Sequence, residues 1–308
     1  MINISKVIAE KTGFTDLVSG LNASLTGSEL NTFLLELFKQ RAKKIVPAEL
    51  VKDFEKNRFT APANINTIDF QEFELWCLKQ MKHKGFLPLT LSPLTAFASC
   101  SAVGFVDQNN VMTALRGTEV VSDATNVFAL LIASEFKKKK GNSLTKYVTS
   151  HRHVRSQAFS NPAFTSHFSI LCLATGGLDT GSYSFELEQL SDHITAHLSI
   201  LSNEFGYENL SLVIYLKDDN KTLHQKVEAA LKKINGLVSI KIENQINAGD
   251  YYKLIQFKFF LAHNGEHVNL SDGGFVDWTQ KLIPNKKHRL IISAVGTELI
   301  HKIKDKQT

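Results

Sequence analysis

The side chains best suited to chemistry in this 308-residue sequence flank one turn. Val154-Arg155-Ser156-Gln157 leads into a loop carrying Asn161-Pro162, and His167-Phe168 opens the apolar run beyond it. If the two flanks are antiparallel strands, a guanidinium, an amide, an imidazole and a phenyl ring converge on one spot. Arginine grips a phosphate through paired hydrogen bonds, and an aromatic ring suits the face of a nucleobase. A second cluster, Arg116, Glu119, Asp123 and Asn126, falls where a strand gives way to a helix. Arg116, placed after an apolar strand and before a glycine, is its foremost ligand-facing candidate, with Glu119 beside it. Capping accounts equally well for Asp123 and Asn126. Gly273, Gly274 and Asp277 form a third group, an Asp-Gly-Gly turn ahead of a short helix. Tyr251 and Tyr252 suit a core as well as a site.

The common catalytic signatures are absent. The sequence holds no Walker loop, Gly-x-Gly-x-x-Gly, His-Glu-x-x-His or Gly-x-Ser-x-Gly. His151 and His153 share a strand face, but no third ligand of assured geometry is near, so no metal is expected. Cys77, Cys100 and Cys172 are odd in number and widely spaced, which gives no disulfide framework. A net charge of +5 is too weak to argue for nucleic acid, and the Lys137 to Lys140 run suits a solvated helix end. The amino terminus lacks a secretory pattern and no apolar run reaches membrane-spanning length, so a cytoplasmic protein without membrane contact is expected.

The elements that must position these groups follow from periodicity. Thr26-Gly-Ser-Glu29 has the form of a capping box and opens an apolar stripe at Leu30, Phe33, Leu34, Leu37 and Phe38. Pro47 suits a first helical position, with Leu50, Val51 and Phe54 behind it. Residues 1–65 therefore read as a helical appendage, and 66–308 as the main domain. There, a helix over 69–84 precedes an extended, proline-bounded Phe86 to Pro93. Strands are expected at 111–115, at 168–173 up to Gly176-Gly177, and at 212–216, 237–242, 254–261 and 289–296. Helices are expected from Val120 to the lysine run, over 187–201 and over 222–234, and at the carboxyl end. Asn264-Gly265 between strand residues signals a hairpin. The pattern is α+β, not a doubly wound sheet.

The Arg155 to Phe168 arrangement resembles motif 2 of the class II aminoacyl-tRNA synthetases, and further segments fall in the order of the histidyl branch. Phe86 to Pro93 looks like motif 1, the dimer-forming helix and strand. Ala114-Leu-Arg-Gly-Thr-Glu119 is similar to the leucine-arginine-proline-glutamate-glycine-threonine segment that holds the substrate amino acid. Ala248-Gly-Asp-Tyr-Tyr252 resembles the glycine-leucine-aspartate-tyrosine-tyrosine signature. Asp272-Gly-Gly-Phe-Val-Asp277 resembles the glycine-glycine-arginine-tyrosine-aspartate loop, and Val295-Gly-Thr-Glu-Leu299 falls at motif 3. The resemblance implies a class II synthetase-like antiparallel sheet flanked by helices, and a homodimer. It also implies ligand contacts at Arg116, Glu119, Arg155, Gln157, His167, Phe168, Tyr251, Gly273, Gly274 and Asp277.

The departures shape the expected function. Leu299 falls at the catalytic arginine of motif 3, Phe275 at the arginine of the diglycine loop, and Asn247 at the arginine before the tyrosine signature. Ile170 and Ala174 fall where the family grips histidine, and Gln157 replaces the acidic partner of Arg155. Each electrostatic stabiliser removed from such a site costs about 3–4 kcal/mol of barrier, so histidine activation is not expected. The sequence runs to Thr308, soon after the motif 3 region, so no anticodon-binding domain and no tRNA partner are expected. The expected role is a histidyl-type paralogue that does not charge tRNA and binds an amino acid, nucleotide or adenylate-like ligand, as a sensor or regulator. The regulatory subunit of ATP phosphoribosyltransferase is the relative it looks most like. The alternative is an adenylate-forming ligase for a different carboxylic acid, with Arg289 or a lysine replacing the missing arginine. ATP with magnesium is the expected cofactor if the nucleotide site is retained, and none otherwise. A protein partner for residues 1–65 completes the expectations.

Overall fold

A computed structural model describes residues 4–138, 144–157, 165–217, 220–244 and 251–305. The loop with Asn161-Pro162, the end of the lysine run and the segment Asn247 to Asp250 lie outside the described residues.

Four helices come first: α1 (Ile4–Thr12), α2 (Leu17–Ser24), α3 (Gly27–Ala42) and α4 (Pro47–Lys56). The capping box of α3 closes in both directions. The Glu29 amide donates to Thr26 Oγ1 at 3.3 Å, and the Thr26 amide donates to Glu29 Oε2 at 2.7 Å. Pro47 stands in the first turn of α4, where its missing N–H is not needed. None of the four contains a buried residue, and Phe33, Phe38, Leu50, Val51 and Phe54 are exposed.

The main body begins with α5 (Thr67–His83), which buries Phe70, Cys77 and Met81. Then follow β1 (Leu87–Pro88), β2 (Leu94–Ala96), α6 (Ser99–Gly104), β3 (Thr113–Ala114), β4 (Thr118–Val120) and α7 (Ala124–Lys138). β5 (Thr145–Val154) and β6 (His167–Leu178) are the long central strands, with α8 (Ser184–Phe205) after them. The chain continues through β7 (Leu210–Leu216), α9 (Lys221–Leu231), β8 (Ser239–Asn244), β9 (Lys253–His263) and β10 (Glu266–Val276). It closes with α10 (Trp278–Leu282), β11 (His288–Val295) and α11 (Thr297–Asp305).

Among the described residues, eight strands form one sheet in the order β1-β5-β6-β11-β10-β9-β7-β8, and β2-β4-β3 form a small second sheet. Only β1/β5 and β7/β8 pair in parallel, so the sheet is antiparallel through its centre and the architecture is α+β. Alternation along β6 divides the core in two. Leu171 and Leu173 pack with Leu190 and Ile194 of α8, while Cys172 and Ala174 pack with Phe128 and Ile132 of α7.

Two expectations about glycine are corrected. β6 does not stop at Gly176-Gly177 but runs through them to Leu178. A Cβ on Gly176 would lie 2.5 Å from Ile132 Cγ2, and one on Gly177 2.6 Å from Phe185, so the glycines admit those side chains. Gly273 and Gly274 likewise stand inside β10 and form no turn.

The buried face of α8 is not wholly apolar. His193 Nε2 lies 2.9 Å from Thr175 Oγ1 and its Nδ1 2.7 Å from Ser293 Oγ. His197 Nε2 lies 2.8 Å from the same Ser293 hydroxyl, and its Nδ1 3.0 Å from Ser271 Oγ. Every ring nitrogen is satisfied, so the pair sits in the core at tolerable cost. Burial holds both imidazoles neutral, His197 down to about 3 and His193 well below the ordinary value.

Candidate ligand cavity

Ser271 and Ser293 belong at once to this network and to the wall of a cavity of about 700 Å³ on the sheet. The cavity brings together the ends of β5 and β6, the turn before α7, Tyr251-Tyr252 and the start of α11.

Arg155 and Phe168 meet across the β5–β6 pair, in which Val154 faces His167. The Arg155 amide donates to Ser166 O at 2.8 Å, which extends the ladder by one rung. The guanidinium lies over the Phe168 ring, 5.3 Å from its centroid, and Nε donates to Ser122 O at 3.1 Å. Among the described residues its terminal nitrogens have no hydrogen-bond partner. A cation anchored through Nε and seated over a ring presents its remaining donors as a fork to an anion.

Asp123 stands opposite in charge. Its Oδ1 caps the turn into α7, accepting from the Thr125 amide at 2.9 Å and the Thr125 hydroxyl at 2.6 Å. Its Oδ2 accepts from the Tyr251 hydroxyl at 3.1 Å. Tyr252 repeats the device by donating to Asp272, and the two tyrosine rings meet edge to face at 4.8 Å. Burial and the neighbouring carboxylates push both phenols well above their usual range, so they remain donors. Burial also raises Asp272, against the Lys258 charge that lowers it. His153 takes the Ala124 amide on Nε2 at 2.9 Å, which requires an accepting, neutral ring. Burial keeps it in that form. Cys100 and Cys172 also line the cavity, but burial pushes Cys100 up to about 11 and Cys172 well above its usual value. Neither is a thiolate nucleophile at neutral pH.

The motif 3 position carries no such cation. Leu299 lines the cavity there. The adjacent Glu298 is committed elsewhere: it accepts from the Ser169 amide at 3.0 Å, from Arg152 at 3.0 Å and from Lys302 at 2.7 Å. Burial opposes its ionisation, and these donors outweigh burial and hold it below the ordinary value. Arg289 is no substitute, because Asp179 and Glu186 hold it at 2.5 and 2.7 Å outside the cavity lining.

The cavity gathers Arg155, Gln157, Phe168 and Tyr251 of the ten candidate residues. The other six are placed elsewhere. Arg116 is exposed at the tip of the β3–β4 hairpin, where φ is 66° at Arg116 and 67° at Gly117. Its amide donates to Asn31 Oδ1 of α3 at 2.7 Å. Glu119 is fully buried beneath α6, accepting from the amides of Ala98 and Cys100 at 2.8 and 2.9 Å and from Gln108 at 3.0 Å. His167 points away from the cavity, between Arg152 and Ala61 O. Gly273 admits Phe257 and Ser293, and Gly274 admits Tyr252 and the Ile255 carbonyl, so both serve packing. Asp277 pairs with Lys281 at 2.9 Å.

Leu115-Arg116-Gly117-Thr118 lies at the tip of the β3–β4 hairpin, and the residues of this region that line the cavity are Ser122, Asp123 and Thr125. The sequence leaves Asp123 equally a cap and a ligand group, and it singles out neither Asp272 nor a cavity role for His153. Alternation along β10, with Asp272 on the face opposite Gly273, is the signal for Asp272. Among the described residues no group of three or more His, Cys, Asp or Glu is arranged around a metal position, and no helix is long and apolar enough to cross a membrane.

No family model matches the chain, and no curated protein matches it. Solved structures do. An ATP phosphoribosyltransferase regulatory subunit/histidyl-tRNA synthetase from Bacillus halodurans superposes with a TM-score of 0.56 at 13% identity, covering 80% of this chain and 82% of that one. Apo histidyl-tRNA synthetase of S. aureus gives 0.58 at 14% identity, covering 80% and 70%. A putative threonyl-tRNA synthetase from Aeropyrum pernix gives 0.59 at 12%, covering 77% and 60%. The chain therefore has the fold of a class II aminoacyl-tRNA synthetase core. Among its structural neighbours is one described as a phosphoribosyltransferase regulatory subunit.

Proposed function

We propose that this protein is a non-charging paralogue of the histidyl type whose cavity binds an amino acid or an adenylate-like ligand in a sensing role. One observation carries the reading: a guanidinium on an aromatic ring and a tyrosine-held carboxylate face one cavity, while the motif 3 position is a leucine. Asp123 receives the ammonium group of the ligand, with Tyr251 fixing the acceptor oxygen. Arg155 receives its carboxylate, or the phosphate of an adenylate whose base stacks on Phe168. The ring and the fork thus fit the nucleoside monophosphate end of ATP. The motif 3 position gives a triphosphate no partner, since Leu299 offers no charge and Glu298 is spent on Ser169, Arg152 and Lys302; the lysine in the cavity lining is Lys217.

The experiment is thermal shift of the full chain with amino acids, nucleotides and non-hydrolysable aminoacyl-adenylate analogues, on the natural protein and Arg155→Ala. At a hundred times Kd a ligand adds about 2.7 kcal/mol of stability, or roughly 5–10 °C in a domain of this size. Such a shift, cut to about half or less in Arg155→Ala, supports the reading, and a flat response across the panel overturns it. A homodimer is part of the proposal. Ile68, Leu75, Leu87, Leu94 and Phe97 are exposed on α5, β1, β2 and the turn after β2, the region that resembles motif 1.

A further inference from the structure

We infer that Arg58, in the turn after α4, is a positioning residue for the cavity wall that carries Arg155 and Phe168. The inference rests on the cavity described above but not on the identity of its ligand. Arg58 reaches across to the open end of the β5–β6 pair. Its Nη1 donates to Ser166 Oγ at 2.9 Å and to Gln157 O at 3.1 Å, and its Nη2 donates to Ser156 O. These acceptors lie on both strand exits, immediately beside the Arg155-to-Ser166 rung. Among the described residues, no other side chain outside β5 and β6 bridges the two exits. One planar cation is thus shared by three oxygens and fixes the spacing of the exits.

A second line runs from the same segment. His167 Nε2 lies 2.6 Å from Ala61 O, and His167 Nδ1 lies 3.0 Å from Arg152 Nη1. Arginine only donates, so Nδ1 is the acceptor and Nε2 carries the proton that Ala61 O receives. Arg152 then holds Glu298, which accepts from the Ser169 amide, beside Leu299 in the cavity wall. Residues 58–61 therefore touch the cavity wall by two routes, one to the Arg155 end and one to the α11 end.

The turn is itself rigidly joined to α4. Thr60 Oγ1 donates to Phe54 O at 3.0 Å and to Asn57 O at 2.9 Å, and Asn57 Oδ1 accepts from the Phe59 amide at 3.1 Å. Arg58 is braced over the Phe59 ring, 4.4 Å from its centroid. A displacement of α4 must carry Arg58 with it, and with Arg58 the spacing of the strand exits.

The test is amide hydrogen exchange of the full chain, without ligand, for the natural protein, Arg58→Ala and Arg58→Lys. Arg58→Ala is expected to speed exchange at the Arg155 and Ser156 amides about tenfold or more, as loss of charged hydrogen bonds to a strand end requires. The Phe257 and Gly273 amides in the β9–β10 pair stay unchanged. Arg58→Lys, which keeps one donor at a time, restores part of the protection. Acceleration confined to residues 57–61 overturns the inference, as does uniform acceleration across the sheet. Because no ligand is present, either failure is distinguishable from a failed ligand panel.

Discussion

Acidification from pH 7.5 to 5 removes stability through His193 and His197. Both rings are fully buried and neutral, while the unfolded chain titrates at the ordinary value of 6.5. A folded value below the unfolded one means that stability is complete above 6.5 and is lost as pH falls through that value toward the folded one. Within that window the unfolded state takes up protons that the folded state refuses. At pH 5 each ring costs about 2 kcal/mol, from 1.36 kcal/mol per pH unit, so the pair costs about 4 kcal/mol, and His153, held neutral by burial in the same way, adds to that loss. In a domain of this size that is a fall of roughly 8–16 °C in Tm. Asp272, raised by burial, acts with the opposite sign at the acid end, so the comparison stops at pH 5 and is made against a variant. His197→Asn, which keeps a hydrogen-bonding side chain beside Ser271 and Ser293 and removes one titration, is expected to start less stable at pH 7.5 and to lose about 2 kcal/mol less on acidification. The assay is chemical denaturation at five pH values. A natural protein equally stable at pH 7.5 and 5, or a variant with an unchanged slope, refutes the reasoning.

Arg116→Ala leaves both Tm and any ligand-induced shift unchanged, because Arg116 engages α3 through its backbone. Arg155→Ala lowers ligand affinity by about 10- to 100-fold, the worth of a charged hydrogen bond; calorimetric titration with the best panel ligand separates the two. Gly273→Ala places a Cβ 2.4 Å from that of Ser293 and 2.6 Å from the Phe257 ring. It is expected to destabilise by about 1–3 kcal/mol, read by urea unfolding, and an unchanged midpoint would count against the packing role given to this glycine. Sedimentation at micromolar concentration is expected to show a dimer that Leu75→Glu dissociates; a monomeric natural protein contradicts the interface placed on α5.

The parts of the fold legible in the sequence were those governed by local periodicity and turn chemistry. The capping box at Thr26, Pro47 at the head of α4, the Asn264-Gly265 hairpin and the long α8 all follow from patterns that nearby residues enforce. Arg155 and Phe168 were legible because two strands joined by one loop must bring their facing ends together. Arg116 was not, because a four-letter match outweighed a backbone fact. Arg116 and Gly117 both adopt positive φ at the hairpin tip, a conformation that Gly117 favours and that nothing in the local sequence announces for Arg116. Asp123 reads as a cap and is one, yet its second oxygen serves the cavity, and no local pattern separates the two roles. Asp272 depends on a register set across three strands. The contact of Arg58 with residues 156, 157 and 166 spans about a hundred positions, and nothing local foretells it.

The central claim is a cavity that holds an amino-acid-type ligand without activating it. ATP–pyrophosphate exchange across the standard amino acids and a set of other carboxylic acids, at high protein concentration, tests it most directly. The account predicts no exchange above background, including with any compound that raises Tm. Sustained exchange with one acid, lost on Arg155→Ala, would show a working ligase and contradict the role given to Leu299.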